Sequence, residues 1–140
     1  MIPRAALWLG LAGLIPFIYA ATATLAPNLT IASWPPRGVM EVYGVVILAF
    51  MSGCLWGFAA KDGAKLFRWL ALSVIPAIAL FFGVIIGDSD LIIVLLVGFP
   101  ALLVFDFTFA KEGIAPVWWM RLRILLTAIV TACLAVGAFA

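Results

Sequence analysis

Residues 91 to 110 read Leu-Ile-Ile-Val-Leu-Leu-Val-Gly-Phe-Pro-Ala-Leu-Leu-Val-Phe-Asp-Phe-Thr-Phe-Ala, an apolar run broken by one proline and one acid. At 1.5 Å per residue such a run makes a helix of roughly 30 Å, the thickness of a bilayer's hydrocarbon core. Four more runs of similar length flank it: Ala5 to Ala26, Val39 to Ala60, Leu66 to Ile86, and about Val117 to Phe139. The pattern predicts an all-α polytopic membrane bundle of five transmembrane helices, forming a single integral membrane domain over residues 1–140. The longest polar gap, Pro27 to Gly38, leaves no room for a soluble catalytic domain.

Composition agrees. The chain is 68% hydrophobic with a mean hydropathy of +1.33, far above the roughly 45–50% apolar usage of soluble domains, so lipid must cover most of its surface. The net charge is only +2 and the basic residues are scattered through turns, which argues against a nucleic-acid partner. Histidine is absent, which removes the usual haem, zinc and copper ligand and the usual general base. Cys54 and Cys133 lie inside apolar runs without CxxC spacing and read as packing residues. Neither a metal site nor a cofactor is expected.

Arg4, Lys61, Lys65, Arg68, Lys111, Arg121 and Arg123 collect at one end of the predicted bundle, and only Arg37 falls at the other. The positive-inside rule then puts the N-terminus on the cytoplasmic side of a bacterial inner membrane, or the matrix side of a mitochondrial inner membrane, with the C-terminus opposite. Trp8, Trp56, Trp69, Trp118 and Trp119 fall at helix ends on the same basic face and are expected at the membrane interface, where an indole suits the headgroup level. The first run exceeds the length of a signal peptide's apolar region and reads as a retained span.

Pro16, Pro76 and Pro100 interrupt three helices, each leaving a carbonyl one turn earlier without its donor and inviting a kink. Gly53 to Gly57 and Gly83 to Gly87 form GxxxG patterns that predict close helix packing, within the bundle or against another subunit.

Asp106 is the acid set well inside an apolar run, about 7 Å inward from the Lys111 turn, whereas Glu41 stands at the outer end of its own. An ionisable residue at that depth needs a named partner. The hairpin after Lys111 brings Arg121 and Arg123 back to a similar depth, pointing about 200° apart. Arg123 is expected to turn inward toward Asp106, and Arg121 to reach for phosphate. A structural ion pair is the simplest reading; proton or substrate handling and a pair with another protein are the alternatives. Asp88 and Asp90 share one short turn with too few oxygens for a dedicated calcium site. No Ser/His/Asp set, P-loop, GxGxxG or HExxH is present, and no residue is assigned a catalytic role.

Gly10-Leu11-Ala12-Gly13-Leu14-Ile15-Pro16-Phe17, Tyr43, Phe50-Met51-Ser52-Gly53-Cys54-Leu55-Trp56-Gly57, Pro76, Asp106, Pro116-Val117-Trp118-Trp119, Leu122-Arg123 and Leu126-Thr127 together are similar to a family of unknown function that includes mitochondrial transmembrane protein 69. The resemblance spans nearly the whole chain. It implies a small five-helix protein of bacterial inner membranes and mitochondria, with no biochemical activity to transfer. The family pattern has a histidine immediately before the Trp-Gly pair, where this chain has Leu55, so any chemistry of that histidine is not performed the same way here.

The function expected from these residues is that of a non-enzymatic accessory, assembly or stabilising subunit of an inner-membrane complex. Its partners would be the bilayer and a second membrane protein or another copy of the chain. The alternatives are a small transporter or proton-linked carrier built on Asp106 and Arg123, and a lipid or quinone binder at the inner leaflet, with Trp56, Trp69, Trp118 and Arg123 around a shallow pocket.

Overall fold

A computed structural model of the chain describes residues 1–61 and 66–140; Lys65, counted above among the basic residues, lies outside them. Among the described residues the fold is all-helical. The elements are α1 (Arg4–Ala12), α2 (Ile15–Leu25), a 3-10 turn (Pro27–Leu29), α3 (Pro36–Lys61), α4 (Leu66–Ile85), α5 (Leu91–Lys111) and α6 (Trp119–Phe139). With α1 and α2 counted as one span, five helical segments are long and apolar enough to cross a membrane. The protein is a membrane protein of five transmembrane helices.

The first span is broken where its sequence predicts. Pro16 has no N–H to give the Ala12 carbonyl, so the chain tightens through a bond from the Leu14 N–H to the Leu11 carbonyl at 3.0 Å. The helix restarts when Leu14 accepts from the Ile18 N–H at 2.9 Å. From α3, the Tyr43 hydroxyl donates to the Gly13 carbonyl at 2.9 Å, which satisfies a backbone oxygen of the broken turn at membrane depth. Pro76 and Pro100, in contrast, are carried inside continuous helices.

The core lies where α2, α3, α5 and α6 meet, around the fully buried Phe17, Leu55, Leu95, Phe99 and Leu134. Leu55 is thus a packing residue here. The tightest approaches between helices are set by glycines outside the GxxxG pairs. A Cβ on Gly44 would stand 2.5 Å from Leu95 Cδ1, one on Gly98 would stand 2.9 Å from Leu48 Cδ1, and one on Gly137 would overlap the Met40 sulfur.

The two GxxxG pairs differ in what they meet within the chain. A Cβ on Gly53 or Gly57 would meet nothing within 4 Å, because that face of α3 turns away from the other helices. Gly83 does pack, against Val94 of α5, while Gly87 is crowded by the Gly83 carbonyl of its own turn. Between α3 and α4 the buried contact is polar: Ser52 donates to the Ser73 carbonyl, and the Ser73 hydroxyl donates to Leu70 at 2.7 Å.

At the end away from Lys61 and Lys111, Arg37 pairs with Glu41 at 2.9 Å and also with Asp90, the N-cap of α5. The Arg37 guanidinium, and then the Ile92 N–H, hold the Asp90 carboxyl below the ordinary aspartate range. This bridge ties the start of α3 to the start of α5.

Candidate functional site

The turn between α5 and α6 fixes the site. The Ile114 N–H bonds to the Phe109 carbonyl at 3.0 Å and the Gly113 N–H to Ala110 at 3.1 Å, the double bond pattern of a Schellman stop. Gly113 occupies its left-handed position with φ 73°, which a residue with a side chain adopts only at a cost. Pro116 follows and the chain turns into α6, which returns antiparallel to α5.

That geometry sets Asp106 opposite the first turn of α6. Trp119 Nε1 donates to Asp106 Oδ1 at 2.8 Å, and Arg123 Nε donates to Oδ2 at 2.9 Å. Asp106 is completely buried and Arg123 is 2% exposed. Both carboxylate oxygens are engaged by charge-assisted or indole donors, as a buried carboxylate requires. Phe58 of α3 covers the Trp119 ring edge-on, with centroids 4.9 Å apart. Arg121 points outward and is exposed.

The tryptophans divide into two groups. Trp8 and Trp56 are exposed on the bundle surface and Trp118 is half-buried. Trp69 and Trp119, expected at the lipid interface, are instead interior: Trp69 is 1% exposed and packs edge-on against Phe109 at 5.2 Å, and Trp119 is spent on Asp106. An indole at a helix end suits either place, and the neighbouring helices decide. Trp119 could have been found from its spacing, since it stands four residues before Arg123 on the same helical face.

Beside the ion pair lies a cleft of about 400 Å³ between α1–α2, α3, α5 and α6. Its walls are mostly apolar, with Phe17, Cys54, Phe99, Leu122 and Leu126 among them. Leu9 and Phe50 stand on its rim and are exposed on the outside of the bundle, so the cleft opens sideways toward lipid. Two polar side chains share its wall: Arg123 and, one turn deeper, Thr127. Both are more than nine-tenths buried, and Arg123 Nη2 and Thr127 Oγ1 have no hydrogen-bond partner among the described residues. Trp69 Nε1 and Thr131 Oγ1 also lack partners, but neither residue lines the cleft. Trp56 and Trp69 do not line it either, which corrects the pocket expected from sequence; Trp118 and Arg123 do.

No solved structure matches the chain. Transmembrane protein 69 of Xenopus tropicalis is 32% identical over 133 residues, covering 91% of this chain and 51% of that protein. The chain therefore spans about half the length of this curated relative. Residues 2–139 match the model of a protein family of unknown function, DUF3429, and the chain belongs to that family.

Proposed function

We propose that this protein is a non-enzymatic inner-membrane protein that holds a lipophilic ligand in the cleft beside Asp106 and Arg123. The observation that carries this reading is the mostly apolar, lipid-facing cleft of about 400 Å³ with the polar residues Arg123 and Thr127 in its wall. A pocket that is mostly apolar with a few convergent polar groups is the usual form of a small-molecule site.

The same geometry favours binding over chemistry or transport. A general base must reach its substrate's proton, and both Asp106 oxygens are taken. A carrier needs a polar route across the membrane, whereas this pair is sealed and the cleft beside it is apolar. The accessory-subunit reading keeps an observation of its own. Gly53 and Gly57 offer a smooth outward stripe on α3 for another helix, and a subunit can hold a lipophile as well.

Native mass spectrometry of protein extracted in a mild detergent tests the proposal. One lipophile per chain is expected to survive removal of the detergent. Cys54→Phe and Ala6→Phe, which fill the cleft from two sides, should lose it while keeping the thermal unfolding midpoint within a few degrees. Equal retention by all three proteins, or only a broad distribution of bulk lipid, overturns the reading.

A further inference from the structure

We infer that the connection between α2 and α3, residues 26–35, lies in the lipid headgroup layer at the end away from Lys61 and Lys111, with Ile31 and Trp34 seated against the lipids. Large apolar side chains stand out along it: Leu29 is 55% exposed, Ile31 51% and Trp34 56%. A patch of that kind marks a contact surface. No charged residue occurs between Ala5 and Pro36, so the patch has no charge with which to draw a charged protein partner. Polar Asn28, Thr30 and Ser33 are interleaved with apolar Leu29, Ile31 and Trp34, a mixture suited to the boundary between water and hydrocarbon.

The backbone of the loop is matched to the same place. A loop in water can leave its N–H groups to the solvent, whereas one against lipid must bond them within the chain. Here the Ala26 N–H bonds to the Thr22 carbonyl at 2.8 Å, Leu29 to Ala26 at 2.9 Å, Thr30 to Pro27 at 3.1 Å and Trp34 to Ile31 at 2.8 Å. The Ile31 N–H donates to the Tyr19 hydroxyl at 3.0 Å. Pro27 and Pro35 have no N–H, so at most those of Asn28, Ala32 and Ser33 are left for headgroup oxygens.

Tyr19 also sets the depth. Its hydroxyl donates to the Trp34 carbonyl at 2.7 Å, and the two rings meet edge-on with centroids 6.3 Å apart. Tyr19 stands six residues, or about 9 Å, before the end of α2, and side chains lean toward a helix's N-terminus, so the loop folds back along α2 instead of standing up into water. Trp34 is three residues before Arg37, whose guanidinium reaches Asp90 at the start of α5. A helix the length of α5 spans about the hydrocarbon thickness, which puts Asp90 at its edge and Trp34 and Tyr19 in the aromatic belt.

Spin labels in phosphatidylcholine liposomes test the placement. Ile31→Cys and, as the control in the charged turn before α5, Asp88→Cys are made in a Cys54→Ala, Cys133→Ala chain. Relaxation is read with oxygen, which concentrates in lipid, and with a water-soluble nickel chelate. Position 31 is expected to respond more to oxygen and position 88 more to nickel. Tyr19→Phe, which takes the acceptor from Ile31 and the donor from Trp34, should move position 31 toward nickel. Wild-type protein supplies a second reading without labels. The emission lost on Trp34→Phe should be quenched by lipids brominated near the headgroup end of their chains and spared by aqueous iodide. Nickel accessibility at position 31 equal to that at position 88, with Trp34 quenched by iodide, overturns the inference in favour of a loop in water. Protection of position 31 from both reagents overturns it in favour of a second copy of the chain seated on the loop.

Discussion

Asp106→Ala is expected to destabilise the protein by about 3–5 kcal/mol, because it leaves Arg123 charged, almost wholly buried and without its counter-ion. The loss also strands Trp119 Nε1, which donates to the same carboxylate. The pair as a whole contributes less than this figure, since desolvation offsets much of its attraction. Asp106→Ala combined with Arg123→Ala should therefore recover part of the stability lost in the single variant. Reversible unfolding in mixed micelles measures the cycle, and a coupling near zero would mean the two groups do not depend on each other. Recovery should be incomplete, because Trp119 still lacks its acceptor and the missing arginine stem leaves a gap beside Leu122 and Leu126.

Gly44→Val is expected to cost about 1–3 kcal/mol, since its Cβ would fall 2.5 Å from the end of Leu95, itself fully buried between α3 and α5. Leu95 is flexible at that end, but it is fully buried, so turning it aside displaces its neighbours in the core. Gly53→Val and Gly57→Val are the contrasting controls. Their Cβ positions meet nothing within 4 Å, so the isolated chain should unfold at nearly the wild-type midpoint. Equal damage from Gly44→Val and Gly53→Val in monomeric protein would contradict the packing described above. Damage from Gly53→Val that appears only in native membranes would point to a partner helix on that face of α3.

The five spans were legible because hydrophobicity is a bulk property and bilayer thickness sets its period. Asp106 and Arg123 were legible for the opposite reason: two charges in apolar runs stand out, and the hairpin length puts them at one depth. Glycine was harder to read. GxxxG marks a smooth helix face but not what lies against it, and here the tight contacts fall on Gly44, Gly98 and Gly137. Those glycines stand without a GxxxG partner in sequence, and only the crossing of α3 with α5 and α6 gives them a role.

Trp119 was ambiguous because an indole at a helix end serves the interface and the interior equally well, and only its register with Arg123 hints at the second. The cleft was not legible at all. It arises from four segments far apart in sequence, with the broken turn at Gly13 and Leu14 bending the first span along one side.

The most direct measurement is photolabelling in native membranes with a lipid analogue that carries a diazirine in its tail, followed by peptide mapping. Label concentrated on α6 between Leu122 and Val130 and on α3 around Met51 and Cys54, and competed by excess unlabelled analogue, is the predicted result. Label spread over the lipid-facing surface, with Phe81, Ile85 and Val97 marked as strongly as Leu126 and no competition, would contradict a ligand-holding cleft.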